Sequence, residues 1–142
     1  MPDLAHLETD DALENDGVPT ELPNLPGARV WLIGTGSRAF DAAQLEVARE
    51  LRLEDVPEAQ RDLESRIRVA AKLTARWEGI TDGGAEFPCS YENACALYRR
   101  LPRVRGEALR FIANPGNYRA PAYDLREDPD AAKNSEPSSV GA

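Results

Sequence analysis

Few residues in this chain could do chemistry, and they are poorly grouped for it. The one histidine, His6, lies in an acidic N-terminal stretch, away from any apolar segment that could build a pocket around it. Cys89 and Cys95 are six positions apart, wider than the spacing of common zinc knuckles, and no histidine follows to complete a set. Cys95 falls inside an expected helix, where a thiol packs as a small apolar group. Gly34-Thr35-Gly36 sits between an expected strand and an expected helix, the place where phosphate loops occur. Position 39 is alanine where the third glycine of a dinucleotide fingerprint would stand, and no Gly-Lys-Ser/Thr ending follows, so a tight turn is the plainer reading. Asp82-Gly83-Gly84-Ala85-Glu86 lacks the oxygen-ligand spacing of a calcium loop. Glu46 and Glu50 are spaced as a solvated helix face rather than as an acid/base pair held in a pocket. No catalytic, cofactor-binding or metal-ligating set is expected, and the chain reads as a non-enzyme.

What remains is a basic cluster, Arg99, Arg100, Arg103, Arg105 and Arg110, with Tyr98 and Phe111 among it. It admits three readings: a solvated face, a contact for an acidic partner or for the chain's own acidic arm, or a nucleic-acid surface. The formal net charge of −8 over 142 residues argues against nucleic acid. Tyr98, Arg99, Arg100 and Arg103 are the candidate protein-binding residues.

The elements that must hold these residues follow from charge and periodicity. Residues 1–27 contain seven acids and no Lys or Arg, whereas residues 28–118 are nearly balanced. The acidic, proline-containing start, 1–27, is expected to be a largely mobile arm, with a hairpin strand near 18–22; residues 119–142 are expected to be a mobile tail. A single folded domain is placed at 28–118. No apolar run is long enough to span a membrane, and no basic segment leads into an apolar one at the start, so neither a span nor a secretory signal is expected.

Within the middle, Ala28–Ile33 reads as a strand entered through Pro26-Gly27. Ser37 caps a helix over 38–53, with Phe40, Ala43, Val47, Ala48 and Leu51 at helical spacing. Pro57 opens a second helix, whose stripe Leu63, Ile67, Ala70, Ala71, Thr74 and Trp77 predicts helix to about residue 78. The glycines at 79, 83 and 84 mark a turn-rich loop. Ser90 caps a third helix over 91–100, with Ala94, Leu97, Tyr98 and Leu101 on one face, and Pro102 separates it from a fourth near 103–113. The fold class is therefore mainly α, with α+β as the variant: about four amphipathic helices and a short N-terminal strand or hairpin. A core this small leaves stability to be gained by assembly, including with copies of itself.

One segment carries a resemblance. Trp77-Glu78-Gly79-Ile80-Thr81-Asp82-Gly83-Gly84, then Phe87-Pro88-Cys89-Ser90-Tyr91-Glu92-Asn93-Ala94, resembles a recurrent W-E-G-[VI]-x-D-x-x-G…P-[FY]-S-x-E-N-A pattern in small proteins of long-tailed bacteriophages. Upstream, Gly34-Thr35-Gly36-Ser37-Arg38-Ala39-Phe40 and Ala43–Arg49 are similar to that family's strand-to-helix segment, and Asn117-Tyr118 to its closing pair. The family is that of phage tail assembly chaperones, and the resemblance covers about residues 28–118. One departure is Cys89, where an aromatic is commoner. The resemblance implies a mostly helical protein that coats the tape measure protein in the host cytoplasm before the tail tube polymerises. The alternative is a small structural head-tail or tail protein that stays in the virion. The resemblance further implies tape measure or other tail proteins as partners; charge, hydropathy and the missing ligand sets lead us to expect no nucleic acid, no membrane and no cofactor. Within the motif, Trp77, Gly79, Ser90 and Asn93 read as scaffold: a core seal, a turn glycine, a helix cap and a loop hydrogen bond. The family often makes a longer form by frameshifting, and Ala132-Lys133-Asn134 is compatible with such a slip site.

Overall fold

The computed structural model describes residues 1–120. The expectations for the tail beyond Ala120, including the slip site at 132–134, fall outside the described residues. Two short helices, α1 (Leu4–Leu7) and α2 (Asp11–Asp16), precede β1 (Val18–Thr20) and β2 (Arg29–Leu32). Then come α3 (Arg38–Leu53), α4 (Glu58–Lys72), β3 (Thr74–Glu78), the small hairpin β4 (Thr81–Asp82) and β5 (Ala85–Glu86), α5 (Tyr91–Arg100) and α6 (Pro102–Ala113), closed by a 3₁₀ turn, Pro115–Tyr118. The fold is mixed α+β, the variant of the expected class with the larger share of sheet. One sheet runs β1-β2-β3, antiparallel throughout, and β4-β5 forms a second.

The expected hairpin is present: Val18 pairs with Leu32 and Thr20 with Val30. Ser37 caps α3 by accepting from the Phe40 N–H at 3.0 Å, and Ser90 caps α5 by accepting from Asn93 N–H at 3.0 Å. Each satisfies one of the orphan donors at a helix start. Helix α4 packs against both α3 and α5. The core lies where this helical layer meets the sheet, around Val30, Leu32, Val47, Ile67, Leu73 and Val104.

The second helix departs from its expected length. It stops at Lys72, and Thr74–Glu78 is strand β3, paired with β2. The register explains the misreading. Leu32 faces Thr74 while Trp31 faces Arg76, so Ala75 is an extra residue in β3. That bulge turns Thr74 and Trp77 to the same side, both buried, at a three-residue interval that imitates a helical stripe. Leu63, placed on the inner stripe, is exposed, and the buried positions of α4 are Ile67, Val69, Ala70 and Ala71. Ala48, assigned to the α3 stripe, is also exposed.

Packing does not begin at residue 28. Val18 and Leu22 are buried, Asp10 N–H donates to the Tyr118 carbonyl at 2.8 Å, and Gly34 N–H donates to the Glu14 carbonyl at 3.1 Å. Charge counting hid this because Asp11 and Asp16 face outward while Val18 turns inward from the same short segment. Glu14 is the exception among the acids. It is 5% exposed, its Oε2 has no hydrogen-bond partner among the described residues, and its carboxylate fills the space beside Gly34 and Gly36 that a Cβ would need.

Glu46 and Glu50, expected as a plain solvated face, belong to an ionic seam across three helices. Lys72 Nζ lies 3.1 Å from Glu46 and 2.8 Å from Glu50. Arg68 forks onto Glu54 at 2.7 and 2.9 Å and reaches Glu50 and Glu64, while Tyr91 O–H donates to Glu50 at 2.7 Å. Burial works against the Glu50 charge, but the bonds from Lys72, Tyr91 and Arg68 outweigh it and hold this carboxyl below its ordinary value.

A candidate partner-binding corner

The motif Trp77–Ala94 folds as one unit around β3, the β4-β5 hairpin and the start of α5. Trp77 is 9% exposed and stacks on Phe87 with ring centroids 5.8 Å apart. Its Nε1–H donates to the Phe87 carbonyl at 2.7 Å, so the indole ties strand to loop while sealing the core. Gly79 has φ +86°, and a Cβ there would meet the Gly27 carbonyl oxygen at 2.8 Å. This glycine thus serves both a left-handed turn and a close approach to the first hairpin. Gly83 and Gly84 both take positive φ, as a two-residue hairpin turn requires. Asn93 Nδ2 donates to the Pro88 carbonyl at 2.8 Å, fixing the loop ahead of the helix that Ser90 caps. Trp77, Gly79, Ser90 and Asn93 thus each hold local structure here: a core contact, a left-handed turn, a helix cap and a loop hydrogen bond.

The four candidate contact residues separate. Tyr98 is corrected: it is fully buried, with its hydroxyl 2.6 Å from Thr74 Oγ1, because the α5 face that carries it packs against α4. Burial pushes its phenol up to about 12, with the Thr74 hydrogen bond opposing. Leu101, expected on the inner face with it, lies beyond the end of α5 and is 40% exposed. Arg99 and Arg100 are exposed at the last turn of α5, pairing with Glu64 and Asp82 respectively, each at 2.9 Å. Arg103, in the first turn of α6, is exposed and has no ion-pair partner among the described residues. Arg105, from the same cluster, instead ties α6 to α5 by donating to the Tyr98 carbonyl at 2.8 Å.

The motif and one of these arginines, Arg100, meet at a pocket of about 90 Å³. Leu25, Ile80, Phe87, Leu97 and Leu101 supply its apolar lining. Arg100 and Asp82 also line it and pair with each other, more than half and half exposed. Sequence reasoning missed Leu25, Ile80, Phe87 and Leu101 as a group, since they come from three segments that only the tertiary fold assembles. A larger groove, about 500 Å³, runs between α3 and the start of α5, lined by Ala39, Ala42, Ala43, Lys72 and Tyr91. Lys72 Nζ sits 4.3 Å from the Tyr91 ring there.

His6 is solvent-exposed on α1, with Asp3 at 3.9 Å. Cys95 is buried and Cys89 half-buried; burial pushes both thiols up, away from the reactive thiolate form. Among the described residues no cluster of His, Cys, Asp and Glu could hold a metal ion, and no helix is long and apolar enough to cross a membrane. Comparison of the chain with family models, with curated proteins and with solved structures found no match.

Proposed function

We propose that this protein is a phage tail assembly chaperone, a non-enzymatic binder of the tape measure protein that acts in the host cytoplasm during tail morphogenesis. The observation that carries the reading is the ordered motif Trp77–Gly84 and Phe87–Ala94, with the similar strand-to-helix segment upstream. Its support is in the residues that the motif leaves at the surface: an apolar pocket rimmed by arginine, suited to holding a protein segment rather than to turning over a small molecule. A chaperone of this kind has to bind and then be released. Modest pockets with exposed, screened charges suit reversible association.

The test has two parts. Co-expressed with the tape measure protein of the same phage, the chain should co-purify with that protein and keep it soluble. Purified particles analysed by quantitative mass spectrometry should be depleted of the chain. Stoichiometric presence in every particle would instead establish the small structural virion protein, and failure to associate with the tape measure would remove the chaperone reading.

A further inference from the structure

We propose that the pocket beneath the β4-β5 hairpin receives one aliphatic side chain from a helical partner segment, and that Arg100 takes a carboxylate lying one helical turn away on that segment. The inference rests on the chaperone reading for the partner's identity and adds the surface and the chemistry by which it is held.

The pocket has the size and lining for such a knob. Its volume, about 90 Å³, equals roughly three waters at ~30 Å³ each, yet its walls are mostly leucine, isoleucine and phenylalanine, with Thr81, Asp82 and Arg100 as the polar part. Water needs two to four polar partners and only three of the eight lining residues have polar side chains, so an aliphatic group displaces it at little cost. Leu101, 40% exposed, extends the apolar surface outward from the pocket.

The charge at the rim selects the neighbour. Asp82 holds the Arg100 guanidinium at 2.9 and 3.4 Å, and the two side chains are 50% and 61% exposed. An ion pair this exposed is weak and easily exchanged. A partner carboxylate approaching with a pocketed side chain can replace Asp82 on the guanidinium fork, at a point that burial then shields from water. Arg103 offers a second cation two residues beyond Leu101. An aliphatic residue and an acid three or four positions apart lie on one face of a helix, so the complementary segment is an acidic amphipathic helix. Asp82 belongs to a hairpin of two-residue strands with a Gly83-Gly84 turn, an element with little to resist a small outward movement.

The experiment titrates overlapping fragments of the tape measure protein against the full chain by calorimetry, with methyl NMR on Ile80, Leu97 and Leu101. One fragment carrying an aliphatic residue and a Glu on one helical face should bind and shift those methyls. Arg100→Glu should weaken it at least tenfold and reduce its salt dependence. Changing that Glu of the fragment to Lys should restore binding to Arg100→Glu while weakening binding to the unmodified chain. Leu101→Asp should also weaken binding tenfold; Asp is a favoured helix cap at this position, so α6 is preserved. A fragment that binds the unmodified chain and both variants equally, with those methyls unmoved, would overturn the pocket assignment and leave the chaperone reading in place. No binding by any fragment would overturn the chaperone reading and, with it, the partner assigned to the pocket.

Discussion

Glu14 is the residue whose replacement tests the packing most directly. Its carboxylate is buried at 5% exposure, with Oε2 unpartnered among the described residues, beside two glycines and the ring of Tyr118. A buried polar atom left without a partner costs about 1–3 kcal/mol. Glu14→Met keeps the length, removes the charge and puts apolar atoms against the Tyr118 ring. It should therefore stabilise the protein by about 1–3 kcal/mol, a melting-temperature rise of roughly 3–6 °C per kcal/mol for a domain of this size. Gly34→Ala probes the same site from the other side. Gly34 is not among the positive-φ glycines, so alanine brings no backbone strain, but its Cβ would fall inside the Glu14 carboxylate and 3.0 Å from Tyr118 Cε2. Alone it should cost about 1–3 kcal/mol by overpacking. In a Glu14→Ala background only the Tyr118 contact remains, and the coupling energy of the cycle should reach about 1 kcal/mol. Urea denaturation of Glu14→Met and of the four proteins of the cycle measures all of this. A fall in stability for Glu14→Met, or additivity within about 0.3 kcal/mol in the cycle, would refute the placement of the unpaired carboxylate on the Gly34-Gly36 turn.

Two further outcomes follow from the interior. Trp77→Ala removes a 9% exposed indole, its stacking on Phe87 and its bond to the Phe87 carbonyl, and should cost about 3–5 kcal/mol in chemical denaturation; an unchanged midpoint would mean that the indole is not a core seal. Glu50 is held below its ordinary value of 4.5 in the folded protein, so its stabilising contribution is complete above that pH and is lost as pH falls through the lower folded value. Glu50→Gln should flatten the acid limb of stability against pH, and an unaltered limb in urea melts from neutral pH to below 4.5 would show that the seam does not depend on this carboxylate.

Local chemistry alone determined several elements. Helix α3 was legible because a serine cap and the Ala43, Val47, Leu51 spacing act within one helix, whatever surrounds it. Helix α5 was legible for the same reason at Ser90, and the first hairpin because β-rich residues flank a proline- and glycine-marked turn. Thr74–Glu78 was not legible: periodicity reports which residues are buried together, and a bulge in a strand buries residues three apart just as a helix does. Whether Tyr98 or Arg99 faces a partner depended on which side of α5 meets α4, a fact absent from either helix taken alone. The acid count of the first 27 residues foretold solvent for Asp11 and Asp16 but not burial for Glu14, because charge states what a side chain prefers and packing decides what it receives. The pocket at the α5-α6 corner belongs wholly to tertiary structure. Leu25, Ile80, Phe87 and Leu101 lie in separate stretches of the chain, and only the docking of two hairpins against the end of α5 brings them to one place.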